Sequence, residues 1–247
     1  MIKGLQEIFG TWYDPLNRKG VLDLLIPILK ELQALSKRGK KIFPSSSQTF
    51  RAFQECKYED LVAICVGLSP YHTMTKEKII IADGVALSCG NTNKEQPSLT
   101  KWYDAVQKEF PNDVIERRCD LSYLCNQGIL MYNFGLTVEN QKAACHNDMW
   151  EPFTKAFITE IIGPSGIPVI ILGREVKKVE KWLYPFQYCF KVDHPASAAY
   201  SETDWDSEGV FRKTSQIIKA NNNIDITWWP KQDSLTLEQE FPADLLF

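Results

Sequence analysis

The chain contains Cys56, Cys65, Cys89, Cys119, Cys125, Cys145 and Cys189, yet no two of them stand at C-x-x-C spacing. That absence removes the usual zinc-ribbon and dithiol redox readings, and no metal, disulfide or cofactor is expected. Cys65 and Cys189 lie inside apolar runs, where a free thiol behaves as a small hydrophobe. No apolar run approaches the ~18 residues of a membrane-spanning helix. The start, Met1-Ile2-Lys3-Gly4, has no hydrophobic core ahead of a small-residue cleavage site. A cytoplasmic protein is expected, in a bacterium or in the host of a virus, or a nuclear one in a eukaryote. There is no repeat, low-complexity tract or clear linker, so a single domain over 1–247 is expected, with 231–247 as a C-terminal tail. Positive charge is not in surplus either: the net charge is −3. Nonspecific, charge-driven binding to nucleic acid is disfavoured, while a DNA enzyme with a local basic groove remains open. The one dense basic run, Lys37, Arg38, Lys40 and Lys41, reads as a solvated helix end.

What is present is a regular alternation. Short apolar runs at Leu61–Val66, Ile129–Tyr132, Pro168–Leu172 and Tyr188–Val192 read as buried strands. Helical patterns lie around them. Pro27 suits the first turn of a helix burying Ile28, Leu32 and Leu35. Ser98 is placed to cap a helix running to Phe110, and Asp120 to cap one ending at Gly128. Trp150, Phe153, Phe157 and Ile161 share a helical face, as do Val176, Val179 and Leu183, and Phe211, Thr214 and Ile218. Strands alternating with helices predict an α/β protein: three layers, α/β/α, around a central, mostly parallel four-stranded sheet.

In such sheets the site lies beyond the carboxyl ends of the strands. Gly67-Leu68-Ser69-Pro70-Tyr71-His72 follows the first strand, Asn133 the second, and Asp193-His194-Pro195-Ala196-Ser197 the fourth. Two histidines, an asparagine and a tyrosine at one sheet edge suit a pocket that reads a polar, planar ligand. Plainer readings are a histidine satisfied in a turn, an Asx turn after a strand and a tyrosine packed in the core.

These segments resemble the uracil-DNA glycosylase family (family 1 type). That family carries Gly-Gln-Asp-Pro-Tyr-His after its first strand, similar to residues 67–72. Its Ala-His-Gly-Leu-x-Phe-Ser segment is similar to Ala82-Asp83-Gly84-Val85-Ala86-Leu87-Ser88, and its Pro-Ser-Leu turn to Pro97-Ser98-Leu99. The block Gln127-Gly128-Ile129-Leu130-Met131-Tyr132-Asn133-Phe134-Gly135-Leu136-Thr137-Val138 follows the family's Gln-Gly-Val-Leu-Leu-Leu-Asn-x-x-Leu-Thr-Val. Cys145-His146, Trp150-Glu151-Pro152-Phe153-Thr154 and His194-Pro195-Ala196-Ser197 resemble its Ser-His, Trp-Glu-x-Phe-Thr and His-Pro-Ser-Pro. Ile42-Phe43-Pro44 and Ile224-Asp225-Ile226-Thr227-Trp228 also look like family landmarks, and the order holds from about residue 24 to 230.

The resemblance implies base excision repair. A flipped-out uracil or modified pyrimidine in single- or double-stranded DNA is cut at its N-glycosidic bond, which is unreachable in the stack. Cleavage leaves a sugar cation and a base anion. By resemblance, His194 donates to the base carbonyl that gains charge, Asn133 pairs with O4 and N3 of uracil, and Tyr71 crowds C5 to exclude thymine. His72 corresponds to a water ligand, and Ser88 and Ser98 to serines that touch phosphate. The departures fall in the same pocket. The family aspartate is Ser69, its neighbouring glutamine is Leu68, the stacking phenylalanine is Leu87, and the leucine wedge is Ala198. Ser69 cannot carry charge or act as a base at neutral pH. Asp83 stands where the family has histidine and is either a substitute carboxylate or a turn former.

Two expectations follow. One is a DNA glycosylase of reduced or altered activity. The other is a weak or inactive homologue acting as a DNA-binding or replication-complex module. The ending Ala243-Asp244-Leu245-Leu246-Phe247 loosely resembles tails that dock into sliding clamps, through Leu245, Leu246 and Phe247; its plainer reading is a tail packed on its own domain.

Overall fold

A computed structural model describes residues 2–185 and 187–230. The Leu245, Leu246 and Phe247 ending lies outside the described residues. Two sheets are present. A small antiparallel one pairs β1 (Ile42–Phe43) with β4 (Val138–Glu139). The central sheet holds β2 (Ala63–Gly67), β3 (Ile129–Asn133), β5 (Val169–Leu172) and β6 (Cys189–Val192), in the order β3-β2-β5-β6. All three of its pairings are parallel. Every residue of β2, β3 and β5 is buried, as β-branched and other apolar runs covered on both faces must be. The expected three-layer α/β/α fold is what forms.

The helices are α1 (Ile2–Phe9), α2 (Tyr13–Arg18), α3 (Leu25–Lys37), α4 (Arg51–Glu55), α5 (Pro97–Glu109), α6 (Ser122–Cys125), α7 (Asn147–Phe157), α8 (Gly163–Ser165), α9 (Pro195–Tyr200) and α10 (Val210–Asn222). One aromatic layer gathers Phe9, Trp12, Phe53, Tyr132 and Phe157. Another gathers Trp102, Trp205, Phe211 and Trp228 from α5, α10 and the segments beside them. Edge-to-face packing of such rings adds to the area they bury. α3 stops where Gly39 turns left-handed at φ +79, with Gly39 N–H on Ser36 O and Lys40 N–H on Leu35 O.

Three helix readings need correction. The segment over Val176, Val179 and Leu183 is a 3₁₀ helix, Arg174–Trp182. Its buried residues Val176 and Val179 recur every third position, continued by Trp182, a spacing that lines up along one edge at three residues per turn. α5 starts at Pro97 with Gln96 as its cap, because a proline at the first helical position sets the start ahead of Ser98. The Asp120 helix is a single turn: Asp120 does accept the Ser122 N–H at 2.9 Å, but regular structure ends at Cys125, and Gly128 takes φ +85.

Candidate active site

The chain leaves β2 toward β3 and leaves β5 toward β6, so a crevice opens beyond their carboxyl ends. Gly67 and Asn133 end β2 and β3 as a register pair. A Cβ at Gly67 would come within 2.9 Å of Asn133 Oδ1, so only glycine leaves that amide its room. The pairing continues past the strands: Phe134 N–H donates to Gly67 O at 2.8 Å and Gly135 N–H to Leu68 O at 3.2 Å. Leu68 and Ser69 are half-buried beside the buried Asn133 segment.

At the end of β6, His194 caps α9. Its Nδ1 accepts the Ala196 N–H at 3.1 Å. A backbone N–H can only donate, so Nδ1 is the acceptor and the ring proton sits on Nε2. Burial holds the imidazole down at about 4, so it is neutral at physiological pH and still a donor. Gly173, just after β5, backs the ring: its φ is +95, and a Cβ there would lie 3.0 Å from His194 Cβ. The Trp205 indole N–H donates to Asp193 O at 2.8 Å and fixes the approach to the histidine.

Tyr71 is half-buried, and its hydroxyl donates to Leu87 O at 3.1 Å. Burial pushes the phenol up, so it stays neutral. Leu87 is buried with φ +63, a region leucine rarely enters, and is held there by the hydrogen bonds around it. Ala86 N–H donates to Met131 O at 3.0 Å on one side, and Ser88 N–H to Val85 O at 3.2 Å on the other. The half-buried His72 accepts the Gln141 N–H at its carbonyl, at 2.6 Å.

Leu68, Ser69 and Asn133 therefore stand at the adjacent ends of β2 and β3, Tyr71 is hydrogen-bonded to the Leu87 carbonyl, and His194 follows β6 at the same carboxyl edge of the sheet. Other expectations are corrected. Ser88 is 1% exposed; its hydroxyl donates to Asp83 Oδ2 at 2.5 Å and accepts the Leu121 N–H at 3.1 Å, so it is spent internally. Ser98 is buried in the first turn of α5, against the Tyr71 hydroxyl. Ala198 is 5% exposed and packed in the core, so it presents no wedge. Asp83 is no free carboxylate: it meets Arg51 Nη1 at 3.1 Å and accepts Val85 N–H and Gly90 N–H. Burial raises its carboxyl, opposed by Arg51 and Ser88. Gly173 and Arg51 escaped the sequence reading; a glycine directly after an apolar strand was the available sign of the first. A separate concavity of about 220 Å³, walled by Leu29, Leu32, Ile42 and Pro44 among others, contains none of the strand-end residues.

No family model matches the chain. Curated relatives do. A protein of Proteus mirabilis named uracil-DNA glycosylase is 25% identical over 221 residues, covering 88% of this chain and 95% of its own length. Uracil-DNA glycosylase 1 of Listeria innocua is 27% identical over 88% of this chain and 96% of its own. Over most of its length the chain is similar to proteins named uracil-DNA glycosylase. Among solved structures, mimivirus uracil-DNA glycosylase superposes with a TM-score of 0.74 at 18% identity, covering 93% of both chains. A variant of that protein in complex with UGI reaches 0.78, covering 92% of this chain and 91% of its own. These uracil-DNA glycosylase structures share the fold over nearly the whole described chain.

Proposed function

We propose that the chain is a DNA glycosylase that hydrolyses the N-glycosidic bond of uracil, or of a modified pyrimidine, flipped out of DNA, at a rate reduced or redirected by Ser69. The observation that carries this reading is His194: a neutral imidazole whose Nδ1 is tied to Ala196 N–H, leaving an Nε2–H donor. A pre-oriented neutral donor suits a leaving base whose carbonyl oxygen becomes an anion. It loses nothing to reorganisation as the charge develops. Asn133 reads the base edge with its paired donor and acceptor, and Tyr71, pinned through Leu87 O, walls off C5. His72 and Ser69 hold the water side. Ser69 can orient water by hydrogen bonding, but it supplies no negative charge to face the sugar cation. Loss of an electrostatic group of this kind typically costs about 10²–10³ in rate.

The wedge role moves to Tyr200. Ala198 is buried, whereas Tyr200, two residues on in α9, is 87% exposed. An exposed aromatic ring just beyond His194 is suited to fill the stack that the flipped base leaves. DNA is accordingly the proposed partner. Ser69 also favours a second reading, a binding module without turnover. The deciding assay uses uracil-containing oligonucleotides and scores alkali-labile abasic sites for the wild type, Ser69→Asp and His194→Ala. Turnover by the wild type, lost in His194→Ala, supports the enzyme. An inert wild type that binds DNA and gains turnover with Ser69→Asp supports the module.

A further inference from the structure

We propose that Glu139, Cys145 and His146 form a zinc site that fastens the loop after β4 beneath the strand-end segment. One ligand atom from each lies within 4.8 Å of the other two. Thiolate, imidazole and carboxylate are the ligands zinc takes, in a tetrahedral arrangement whose donor atoms stand roughly 3.3–3.8 Å apart. A closure of about 1 Å completes three positions and leaves the fourth for water.

His146 is the independent indication. It is 3% exposed. Its Nδ1 is 2.9 Å from Thr137 Oγ1, and that oxygen accepts the Trp150 indole N–H at 2.8 Å. Its Nε2 is buried and has no hydrogen-bond partner among the described residues. A buried ring nitrogen without a partner is unfavourable, so it calls for an explanation. With Nδ1–H donating to Thr137, Nε2 offers a lone pair, which is how a metal-bound histidine is normally oriented.

The other two donors are reachable. Cys145 is exposed, and its sulfur accepts the Glu139 N–H at 3.1 Å, which holds it beside the glutamate. Glu139 uses Oε2 for Lys142 at 2.9 Å and Lys40 at 3.7 Å, and Oε1 is in neither contact. Both lysines are about half exposed, so these pairs contribute little against a metal. The loop is already bent for the purpose: Gln141 and Ala144 take φ of +63 and +55, which turns Cys145 back over Glu139. The same loop donates Gln141 N–H to His72 O at 2.6 Å. A metal on this loop therefore steadies the His72 segment of the strand-end site.

The test uses the full chain, stripped with a chelator and titrated with zinc against a chromophoric competitor, and with cobalt for its thiolate charge-transfer band. One equivalent is expected to bind, to produce that band and to raise the melting temperature. Cys145→Ser, at an exposed position, should leave the metal-free melting temperature unchanged, weaken zinc binding at least tenfold and erase the band. Glu139→Gln should weaken binding with the band retained. Absence of stoichiometric binding at micromolar zinc overturns the proposal. So does binding that survives Cys145→Ser and is lost in Cys119→Ser, which would place the metal on other thiols. None of these readouts depends on glycosylase turnover.

Discussion

In the proposed reaction Ser69 and His194 divide the chemistry between them. His194 is the proposed donor to the leaving base, and its protonation state is set by one backbone N–H and by burial. His194→Ala should therefore lower the rate of base release by about 10²–10³, read as abasic sites per unit time. The histidine should also be silent across neutral pH. Two-dimensional NMR should show a neutral, Nε2-protonated ring from pH 5 to 8, titrating near 4 (about 4 in the fold). A midpoint near 6.5 would contradict the burial argument. Recognition of these residues rested on sequence segments after apolar runs. The chemistry of Asp83 could not be read that way, because its partner Arg51 is remote in sequence and its commitment to Ser88, Val85 and Gly90 exists only after folding.

At the scale of elements, glycines and one buried ion pair hold the site in place. Gly173→Ala forces a Cβ into a left-handed residue 3.0 Å from His194 Cβ. It should destabilise the fold by about 1–3 kcal/mol and displace His194, so chemical denaturation and base release should both fall. Arg51→Met leaves Asp83, which is fully buried, without its cation. A loss of about 3–5 kcal/mol is expected in denaturant titrations, as for other broken buried pairs. Tyr200→Ala should slow base release from duplex DNA by about tenfold while sparing single strands, since only a duplex leaves a stack to fill. The strands were legible because buried parallel strands read as apolar runs, and their ends fell within a residue or two. The 3₁₀ helix at Arg174–Trp182 was not, since two buried residues three apart, Val176 and Val179, share a face in a helix of either pitch. The Glu139–Cys145–His146 cluster was missed because its donors are brought together by a turn rather than by C-x-x-C spacing.

Over the whole molecule, the fold was legible because many landmarks keep one order through the chain, and the segments singled out after three of the central strands do follow β2, β3 and β6. The surface was less so: burial of Ala198 and exposure of Tyr200 depend on how α9 packs, which residue identity alone does not give. Two histidines make stability depend on pH in the same direction. Burial lowers both His194 and His146 below their unfolded value, so the unfolded chain takes up protons first as pH falls. The His194 contribution is present above about pH 6.5 and is lost as pH falls toward 4, and that of His146 is lost in the same direction. Melting temperature should fall across that window, and less so in His194→Gln. The central claim is that this strand-end site turns over. The measurement that tests it most directly is abasic-site formation by the purified chain on a single-stranded, uracil-containing oligonucleotide. Cleavage by the wild type that disappears in His194→Ala is the predicted result; a wild type that binds the oligonucleotide and never releases uracil would contradict it.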